Sequence, residues 1–407
     1  MKFEEELYNL EEERYHELVD ELVEWRKGEN ISQKYLAERA GIEKTYLSKI
    51  ENHKKRATDR LLQRLMNVLR METTEEEPID IIIDYCRVRI PTMDIGLVLE
   101  KLFHIETDYF LHEDHAFYGY KEQYILGDIS VMTSPEEKNG ILIELKGRGC
   151  RQIEMYLQAQ KREWTDFFHD IQNMGGIFKR IDIAINDRFG ILDVGRLKEK
   201  CKKGECTSYF RGIGTNEEGR FHKQREDNRM EMGETLYIGS KKSEIYFCIY
   251  EKDYEQYIRQ GVSMAEADVK NRFEIRLKND RAKSAIEDYL EHGDIGKTAF
   301  GIIHHYIRFL EPGKGTKQNW KLDGDWQLFI GLEQRKIKLT MKPEPYTIEK
   351  TYNWINKQVM PSLKMLEELD KVKGTTVLQD MMDHTELTEK QKKIIEQETR
   401  PIEDVIL

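Results

Sequence analysis

The chain has 407 residues, of which 39% are hydrophobic and 35% are charged, and its formal net charge is −11. This length allows two or three domains with a substantial hydrophobic core. The sequence shows no signal peptide and no apolar stretch long enough to cross a bilayer. Its five cysteines are scattered and odd in number, which favours reduced thiols over a disulfide framework. We therefore expect a cytoplasmic protein without membrane insertion.

The N-terminal part of the chain combines helical patterning with an uneven distribution of charge. Apolar residues recur at helical spacing among the acids of residues 3–26, which predicts a helix there. Residues 30–70 contain ten Lys and Arg residues but only four acids. One basic segment inside an acidic protein indicates a local contact with DNA.

Residues 32–55 (SQKYLAERAGIEKTYLSKIENHKK) contain the signals of two short helices separated by a turn. Ser32 is a predicted N-cap for a helix over residues 33–40, and Gly41 allows the turn before a second helix over residues 43–51. The string resembles the helix-turn-helix of the Cro/cI-type regulator family, which implies that the second helix enters the major groove of DNA. The alternative is a helical bundle kept for protein contacts. The predicted DNA-binding residues are Gln33, Lys44, Thr45, Tyr46, Ser48, Lys49, Lys54 and Lys55.

Residues 79–310 alternate between strand and helix patterns, which predicts an α+β domain with an antiparallel sheet. Apolar and polar residues alternate in four segments, namely residues 140–147, 179–187, 245–252 and 272–278. Because successive strand residues point to opposite faces, each strand has one covered face and one polar face. Helical patterns cover residues 152–174, 194–203 and 282–292. The polar segment 211–234 is predicted to be a loop, and residues 311–407 a helical extension.

The polar face of these strands collects carboxylates. Glu144, Asp182 and Glu274 occupy polar positions on three strands, and Asp187 stands at the end of one of them. Carboxylate oxygens suit Mg²⁺ or Mn²⁺, so these four acids are candidate metal ligands. The alternative is a solvated sheet face with cross-strand ion pairs.

Tyr250 ends an alternating strand on the same face as the acids, by parity, and Lys252 follows it. A phenol with a pKa of about 10 is a poor nucleophile unless a cation stabilises the phenolate or a base removes its proton. A metal that polarises a phosphate would lower the barrier further, and Lys252 would stabilise developing charge. Tyr237, Tyr246 and Tyr254 are alternatives, and by chemistry alone each tyrosine is more often a packing residue.

Three motifs occur in a fixed order along the second half of the chain, namely KRIDIAIND (179–187), LYIGSKKSEIYFCIYEKDYEQ (236–256) and NRFEIRLK (271–278). The segment that contains them resembles the Rep_trans group. This group includes the rolling-circle replication initiators of Gram-positive plasmids and the MobT-type relaxases of integrative conjugative elements. The resemblance implies a metal-dependent DNA strand transferase whose tyrosine becomes linked to the 5′ phosphate at a nick.

The resemblance also implies roles for individual residues. The tyrosine maps to Tyr250, and the metal-site acids map to Asp182 and Glu274. The candidate catalytic residues are Tyr250, Lys252, Arg180 and Arg276, and the candidate ligands of Mg²⁺ or Mn²⁺ are Asp182, Glu274, Glu144 and Asp187. Family members often have an arginine two residues before the tyrosine. This chain has Cys248 there, which puts one phosphate contact in doubt.

Together with the helix-turn-helix, this resemblance implies a bacterial conjugative relaxase that binds its transfer origin as duplex and as single strand. Its expected partners are a coupling ATPase and accessory processing proteins of conjugation. One alternative is a plasmid or phage replication initiator with the same nicking chemistry, and another is a non-catalytic helix-turn-helix regulator. The predicted domains are residues 1–72, 79–310 and 311–407, with a linker at 73–78.

Overall fold

The structure is a computed structural model that describes residues 12–224, 230–334, 339–344, 352 and 355–407. Its contacts group the chain into two compact units. Unit 1 comprises Met1–Ile83 and Ile181–Thr340, and unit 2 comprises Asp84–Arg180 and Met341–Leu407. This grouping does not test the domain boundaries expected from the sequence, which stay a prediction. Within the described ranges, every helix is too short or too polar to cross a membrane.

The helices and strands alternate along most of the chain. The α-helices are α1 (Glu12–Gly28), α2 (Gln33–Arg39), α3 (Lys44–Glu51), α4 (Asp59–Thr73), α5 (Ile95–Lys101), α6 (Arg148–Ala159), α7 (Trp164–Asn173), α8 (Val194–Lys203), α9 (Lys252–Gln260), α10 (Asp280–His292), α11 (Ile295–Tyr306), α12 (Gly324–Ile330), α13 (Met360–Lys373), α14 (Val377–Asp383) and α15 (Glu389–Thr399). The strands are β1 (Ile79–Ile90), β2 (Leu111–Glu113), β3 (Glu122–Leu126), β4 (Ile129–Thr133), β5 (Ile141–Lys146), β6 (Ile177–Asp187), β7 (Cys206–Ser208), β8 (Ile213–Gln224), β9 (Met230–Ile238), β10 (Ile245–Glu251), β11 (Asn271–Lys278), β12 (Ile307–Glu311) and β13 (Lys321–Leu322).

Helices α1 to α4 open unit 1 and include the predicted helix-turn-helix. The side chain of Ser32 accepts a hydrogen bond from the backbone N–H of Tyr35 at 3.1 Å, which confirms Ser32 as the N-cap of α2. Gly41 has a φ of 70°, a conformation that glycine adopts without a steric penalty, so it forms the turn before α3. The first part of the predicted N-terminal helix, residues 1–11, lies outside the described residues.

The sheet of unit 1 has the strand order β1-β6-β11-β10-β9-β8, and the two strands β1 and β6 also contribute residues to unit 2. The four segments with alternating polarity are all strands, as predicted. The loop predicted over residues 211–234 is wrong, because β8 and β9 pair antiparallel there, starting with Ile213 opposite Ile238. Residues 213–217 are exposed, so neither face needs apolar side chains and the sequence carries no strand signal.

The apolar face of β10 and β11 forms the core of unit 1. The rings of Phe247 and Phe273 are 5.2 Å apart, and Phe273 stacks on Phe329 of α12 at 6.0 Å. Trp326 of the same helix is also buried. Since strand residues alternate, the opposite face of β10 and β11 is left for polar side chains.

Unit 2 has the antiparallel strand order β2-β3-β4-β5-β1, with α6 packed on β4 and β5. The predicted helix over residues 152–174 is interrupted, because Lys161 adopts a φ of 57° between α6 and α7. Trp164 and Phe167 of α7 are buried in the core. The C-terminal helix α15 closes the unit, with Gln397 donating hydrogen bonds to the carbonyl groups of Tyr109 and Ile125 at 3.0 and 3.2 Å.

Asp325 at the start of α12 connects the helix-turn-helix to the rest of unit 1. Its carboxylate lies 2.8 Å from Arg60 and 2.8 Å from Arg64 of α4, and 2.6 Å from Arg196 of α8. Asp325 is 4% exposed, so its charge has little contact with water and is compensated by these guanidinium groups. The ion cluster therefore holds α4 against the body of the unit.

We expect Asp325→Ala to lower the free energy of unfolding by about 3–5 kcal/mol, because it leaves three arginines together without their shared counter-charge. Urea denaturation of the full chain measures the change. A matched control is Glu76→Ala, which removes a pair with Arg70 whose carboxylate side chain is 63% exposed. The control should cost less than about 1 kcal/mol. Equal losses in the two variants would contradict a stabilising role of the cluster.

Candidate active site

The register of β10 and β11 brings several predicted site residues onto one face. Antiparallel pairing places Cys248 directly opposite Glu274, and opposed side chains project to the same side of a sheet. Tyr250 lies two residues along β10, and Arg276 two residues along β11, so both share that face. From the neighbouring strand β6, Asp182 reaches the same group, with its Oδ2 3.7 Å from Nε of Arg276.

Glu274 lies at the centre of this group. The hydroxyl of Tyr250 donates a hydrogen bond to its Oε1 at 2.8 Å, and Nε of Arg276 donates to its Oε2 at 2.7 Å. A second guanidinium nitrogen of Arg276 lies 2.5 Å from the same Oε2. Glu274 is 2% exposed. A buried carboxylate is thus shared between a phenol and a guanidinium group.

Arg276 is a fixed cation among these groups. Burial acts to lower the pKa of Arg276, but Glu274, Cys248, Tyr246 and Asp182 together outweigh it and raise that pKa above its ordinary value. Its guanidinium group also donates to the hydroxyl of Tyr246 at 3.2 Å. The positive charge is therefore held between the carboxylates of β6 and β11 across the working pH range.

Tyr250 opens onto a cavity of about 430 Å³ that lies between β8, β9, β10 and α9. The alternative tyrosines differ from it in their surroundings. Burial raises the pKa of Tyr237 to about 12, which makes its phenolate harder to form. Tyr246 is buried and does not line this cavity, whereas Tyr254 is a buried side chain of its wall. Tyr250 combines access to the cavity with a hydrogen bond to Glu274.

The two other predicted catalytic cations have different surroundings. Nζ of Lys252 lies 5.8 Å from the ring centroid of Tyr250 and 2.5 Å from the carboxylate of Glu255. The guanidinium group of Arg180 lies 4.1 Å from the ring centroid of Tyr85, within unit 2. Arg276, the remaining predicted cation, contacts Glu274 directly.

Two of the four predicted metal ligands, Asp187 and Glu144, are engaged by neighbouring groups in the structure. Asp187 accepts hydrogen bonds from the backbone N–H groups of Ile191 and Leu192 at 3.0 and 2.8 Å, so it shapes the turn after β6. It is also one residue out of phase with Asp182 and Asn186, and therefore projects from the other side of β6.

Glu144 is likewise engaged by its own surroundings, in unit 2. It accepts hydrogen bonds from the hydroxyls of Tyr85 and Tyr118 and pairs with Lys146 at 2.8 Å. Within the part of the chain that the structure describes, no group of three or more His, Cys, Asp or Glu side chains is arranged to hold a metal. Asp182 and Glu274 are the two predicted ligands that share a neighbour, and their oxygens are of the type that suits Mg²⁺ or Mn²⁺.

Glu251 was not identified from the sequence. It ends β10 directly after Tyr250, lines the same cavity and accepts a hydrogen bond from the backbone N–H of Glu234 at 2.8 Å. Burial, aided by the nearby carboxylates of Asp253 and Glu234, raises the pKa of Glu251 to about 7. Glu251 is in phase with the apolar residues of β10, so it belongs to the apolar side of that strand. A carboxylate is unusual there, and this feature of the sequence could have identified it.

The predicted DNA-binding residues lie on or beside α3, with one exception at the start of α2. The exposed side chains among them are Lys44, Thr45, Lys49, Lys54 and Lys55, whereas Tyr46 and Ser48 are half-buried. Nζ of Lys55 lies 4.7 Å from the ring centroid of Tyr46. Gln33 donates a hydrogen bond to the carboxylate of Glu51 at 2.7 Å, so it is held within the helical bundle.

Comparisons of the chain with known proteins identify its family. Residues 176–382 match the family described as replication initiation factor, residues 80–170 match the N-terminal domain of rolling-circle replication initiation proteins, and residues 22–75 match a helix-turn-helix family. The chain is 37% identical over 334 residues to a putative DNA relaxase, NicK, of Bacillus subtilis, covering 82% of this chain and 93% of that protein. The chain belongs to the replication initiation factor family. Both the predicted Rep_trans membership and the predicted helix-turn-helix are thereby confirmed.

A solved structure supports the fold. The rolling-circle replication initiator protein from Geobacillus stearothermophilus has a TM-score of 0.56 and 24% sequence identity, and the match covers 65% of this chain and 99% of that chain. The predicted α+β class with an antiparallel sheet is confirmed. Membership of this family implies a DNA-nicking enzyme.

The raised pKa of Glu251 makes stability depend on pH in a defined direction. A carboxyl group whose pKa is higher in the folded than in the unfolded chain binds its proton more tightly in the folded chain. The free energy of unfolding therefore falls as pH rises from about 4.5 to about 7. We expect Glu251→Gln to remove this loss, so that its melting temperature at pH 8 exceeds that of the wild type by a few degrees. Thermal unfolding between pH 5 and 8 measures the effect.

The exposed Glu266 provides the matched control in the same unit. Glu266→Gln should follow the wild-type pH dependence of the melting temperature. A Glu251→Gln curve parallel to that of the wild type would contradict the assignment.

Proposed function

We propose that this protein is a DNA relaxase in which Tyr250 cleaves one strand and becomes linked to its 5′ phosphate. The observation that supports this role most directly is the hydrogen bond from the Tyr250 hydroxyl to Glu274, beside Arg276 and at an open cavity. The family membership and the likeness to a protein named as a putative DNA relaxase support the same chemistry.

In the proposed step, Glu274 Oε1 accepts the phenol proton while the Tyr250 oxygen forms a bond to the scissile phosphorus. The bond between that phosphorus and the 3′ oxygen breaks, and the leaving oxygen takes up a proton to become a free 3′ hydroxyl. Arg276 provides positive charge near the phosphate oxygens. The new phosphotyrosine conserves the phosphodiester energy, so attack by a 3′ hydroxyl rejoins the strand without another energy source.

Asp182 and Glu274 would hold the divalent metal ion, Mg²⁺ or Mn²⁺, on which this kind of enzyme generally depends. Their fit rests on donor type and burial: both are buried carboxylates on one face, and both lie beside the guanidinium group of Arg276. When bound, the ion would act as a Lewis acid toward the phosphate. Asp187 and Glu144 are not part of this proposed ligand pair.

The helix-turn-helix would bind the duplex part of the transfer origin, with the exposed lysines at phosphates and Thr45 near base edges. A coupling ATPase and accessory processing proteins of conjugation are the proposed partners. A rolling-circle replication initiator is the second candidate, favoured by the match of residues 80–170 to the N-terminal domain of such initiators. Both candidates use the same nicking chemistry.

We expect Tyr250→Phe to reduce nicking and covalent adduct formation by at least about 10³-fold, because the change deletes the nucleophile and little else. The assay uses single-stranded oligonucleotides that tile the DNA beside the gene, with Mn²⁺ present, and denaturing gels that reveal covalent adducts. Tyr246→Phe is the control, since it removes a neighbouring hydroxyl on the same strand and face. Adducts that persist in Tyr250→Phe and vanish in Tyr246→Phe would transfer the role to Tyr246.

We expect Asp182→Asn to raise the Mn²⁺ concentration for half-maximal cleavage by at least about 10-fold, because one of two anionic ligands is lost. Glu144→Gln distinguishes the proposed pair of metal ligands, Asp182 and Glu274, from the larger set predicted from the sequence, which includes Glu144. It should leave the metal requirement unchanged, since Glu144 is engaged by Tyr85, Tyr118 and Lys146. An equal rise in both variants would return Glu144 to the ligand set.

A further inference from the structure

A second depression adjoins the cavity of Tyr250. It has a volume of about 810 Å³ and follows the start of β8, the end of β9 and the turn after β9. Asn216 and Tyr237 line both this depression and the Tyr250 cavity. The two are therefore contiguous, and we call the second one the β8–β9 groove.

An exposed aromatic ring stands at the entrance of the β8–β9 groove. Tyr209 is 74% exposed, although its ring stacks on His305 with centroids 4.9 Å apart and planes 18° apart. The adjacent Phe210 stacks on Tyr306 at 4.8 Å and 22°. Exposing a large ring to water is unfavourable, so an exposed ring such as that of Tyr209 indicates a binding site. One face of the ring is stacked on His305, and the exposed remainder can stack on a flat ligand.

The charge of the groove differs from that of the whole protein. Among the residues that the structure describes, its lining includes the exposed cations Arg211 and Lys241 and contains no Asp or Glu, whereas the chain has a net charge of −11. Nζ of Lys241 lies 3.6 Å from the ring centroid of Tyr237, which places a cation beside the passage to the Tyr250 cavity. A Cβ atom at Gly212 would meet nothing within 4 Å, so the floor there is open to a ligand.

We propose that the β8–β9 groove binds single-stranded DNA and leads it to Tyr250. Aromatic platforms bind single strands because unpaired bases expose their faces for stacking, and cations beside them hold the phosphates. A duplex keeps its base faces stacked internally and cannot use such a platform. The inference deepens the proposed function and rests on it for the direction of the strand, but binding is separable from cleavage.

Binding is tested with the full chain carrying Tyr250→Phe, so that no covalent chemistry occurs. The probe is a fluorescein-labelled dT oligonucleotide of about 12 nucleotides, followed by anisotropy. Tyr209→Ala should weaken binding about 10-fold through lost stacking, while Tyr209→Phe keeps the ring and should stay within about 2-fold of its parent. Tyr352→Ala removes another exposed tyrosine, outside the groove lining, and should have no effect.

Charge is tested separately from stacking. The affinity for the oligonucleotide is measured at several salt concentrations, and the logarithm of affinity is plotted against the logarithm of salt concentration. Lys241→Ala should make the slope of this plot less negative by about 0.7 for each phosphate contact that is lost. Circular dichroism at the assay temperature verifies that each variant is folded. Because Tyr209 is largely exposed, its truncation removes little packing.

Equal affinities of Tyr209→Ala and Tyr352→Ala would overturn the inference, as would competition by a 12-base-pair duplex as strong as by the single strand. Cleavage by proteins that retain Tyr250 is scored independently. Cleavage without any effect of Tyr209 would refute the groove and leave the proposed relaxase in place. Single-strand binding that depends on Tyr209 in a protein that forms no adduct would support the groove and refute the nicking chemistry.

Discussion

The pairing of Arg276 with Glu274 and Asp182 is the interaction on which the candidate site depends. Removing an ionised carboxylate from water costs several kcal/mol, and this sheet face buries two of them. Arg276 offsets that cost because the two-residue period of β11 places it beside Glu274, while β6 supplies Asp182. With its charge compensated, the Glu274 carboxylate stays beside the phenol of Tyr250 as an acceptor.

Strand parity explains how much of this site the sequence could reveal. Alternation is a local property, so the sequence alone could assign Tyr250, Glu274 and Asp182 to one face. In the structure Glu274 contacts both Tyr250 and Arg276, and Asp182 lies beside Arg276. The same alternation places Asp187 on the other face of β6, because it is one residue out of phase with Asp182. Glu144 could not be judged in this way, because alternation does not tell which strands are neighbours. The strand β8 was missed since its exposed residues leave no hydrophobic period.

Long-range ion pairs were also beyond the reach of local patterns. The helix-turn-helix was recognised from its caps and its glycine turn, and the polar segment after it suggested a separable module. Yet Arg60 and Arg64 of α4 share Asp325 with Arg196, across more than 250 residues of sequence. Deleting residues 1–72 would remove two of the three partners of a buried carboxylate. Duplex binding is therefore better separated from cleavage by changing exposed residues of α3, such as Lys49.

The residue at position 248 has a consequence for the proposed metal. Burial raises the pKa of the Cys248 thiol to about 12, so it is neutral at physiological pH. Glu274, Asp182 and Arg276 together then carry a net charge of minus one, which repels a phosphate. A divalent cation on the two carboxylates would change this charge to plus one. Because the thiol at position 248 carries no charge, the proposed metal would have to supply positive charge at the scissile phosphate that an arginine at that position would otherwise contribute.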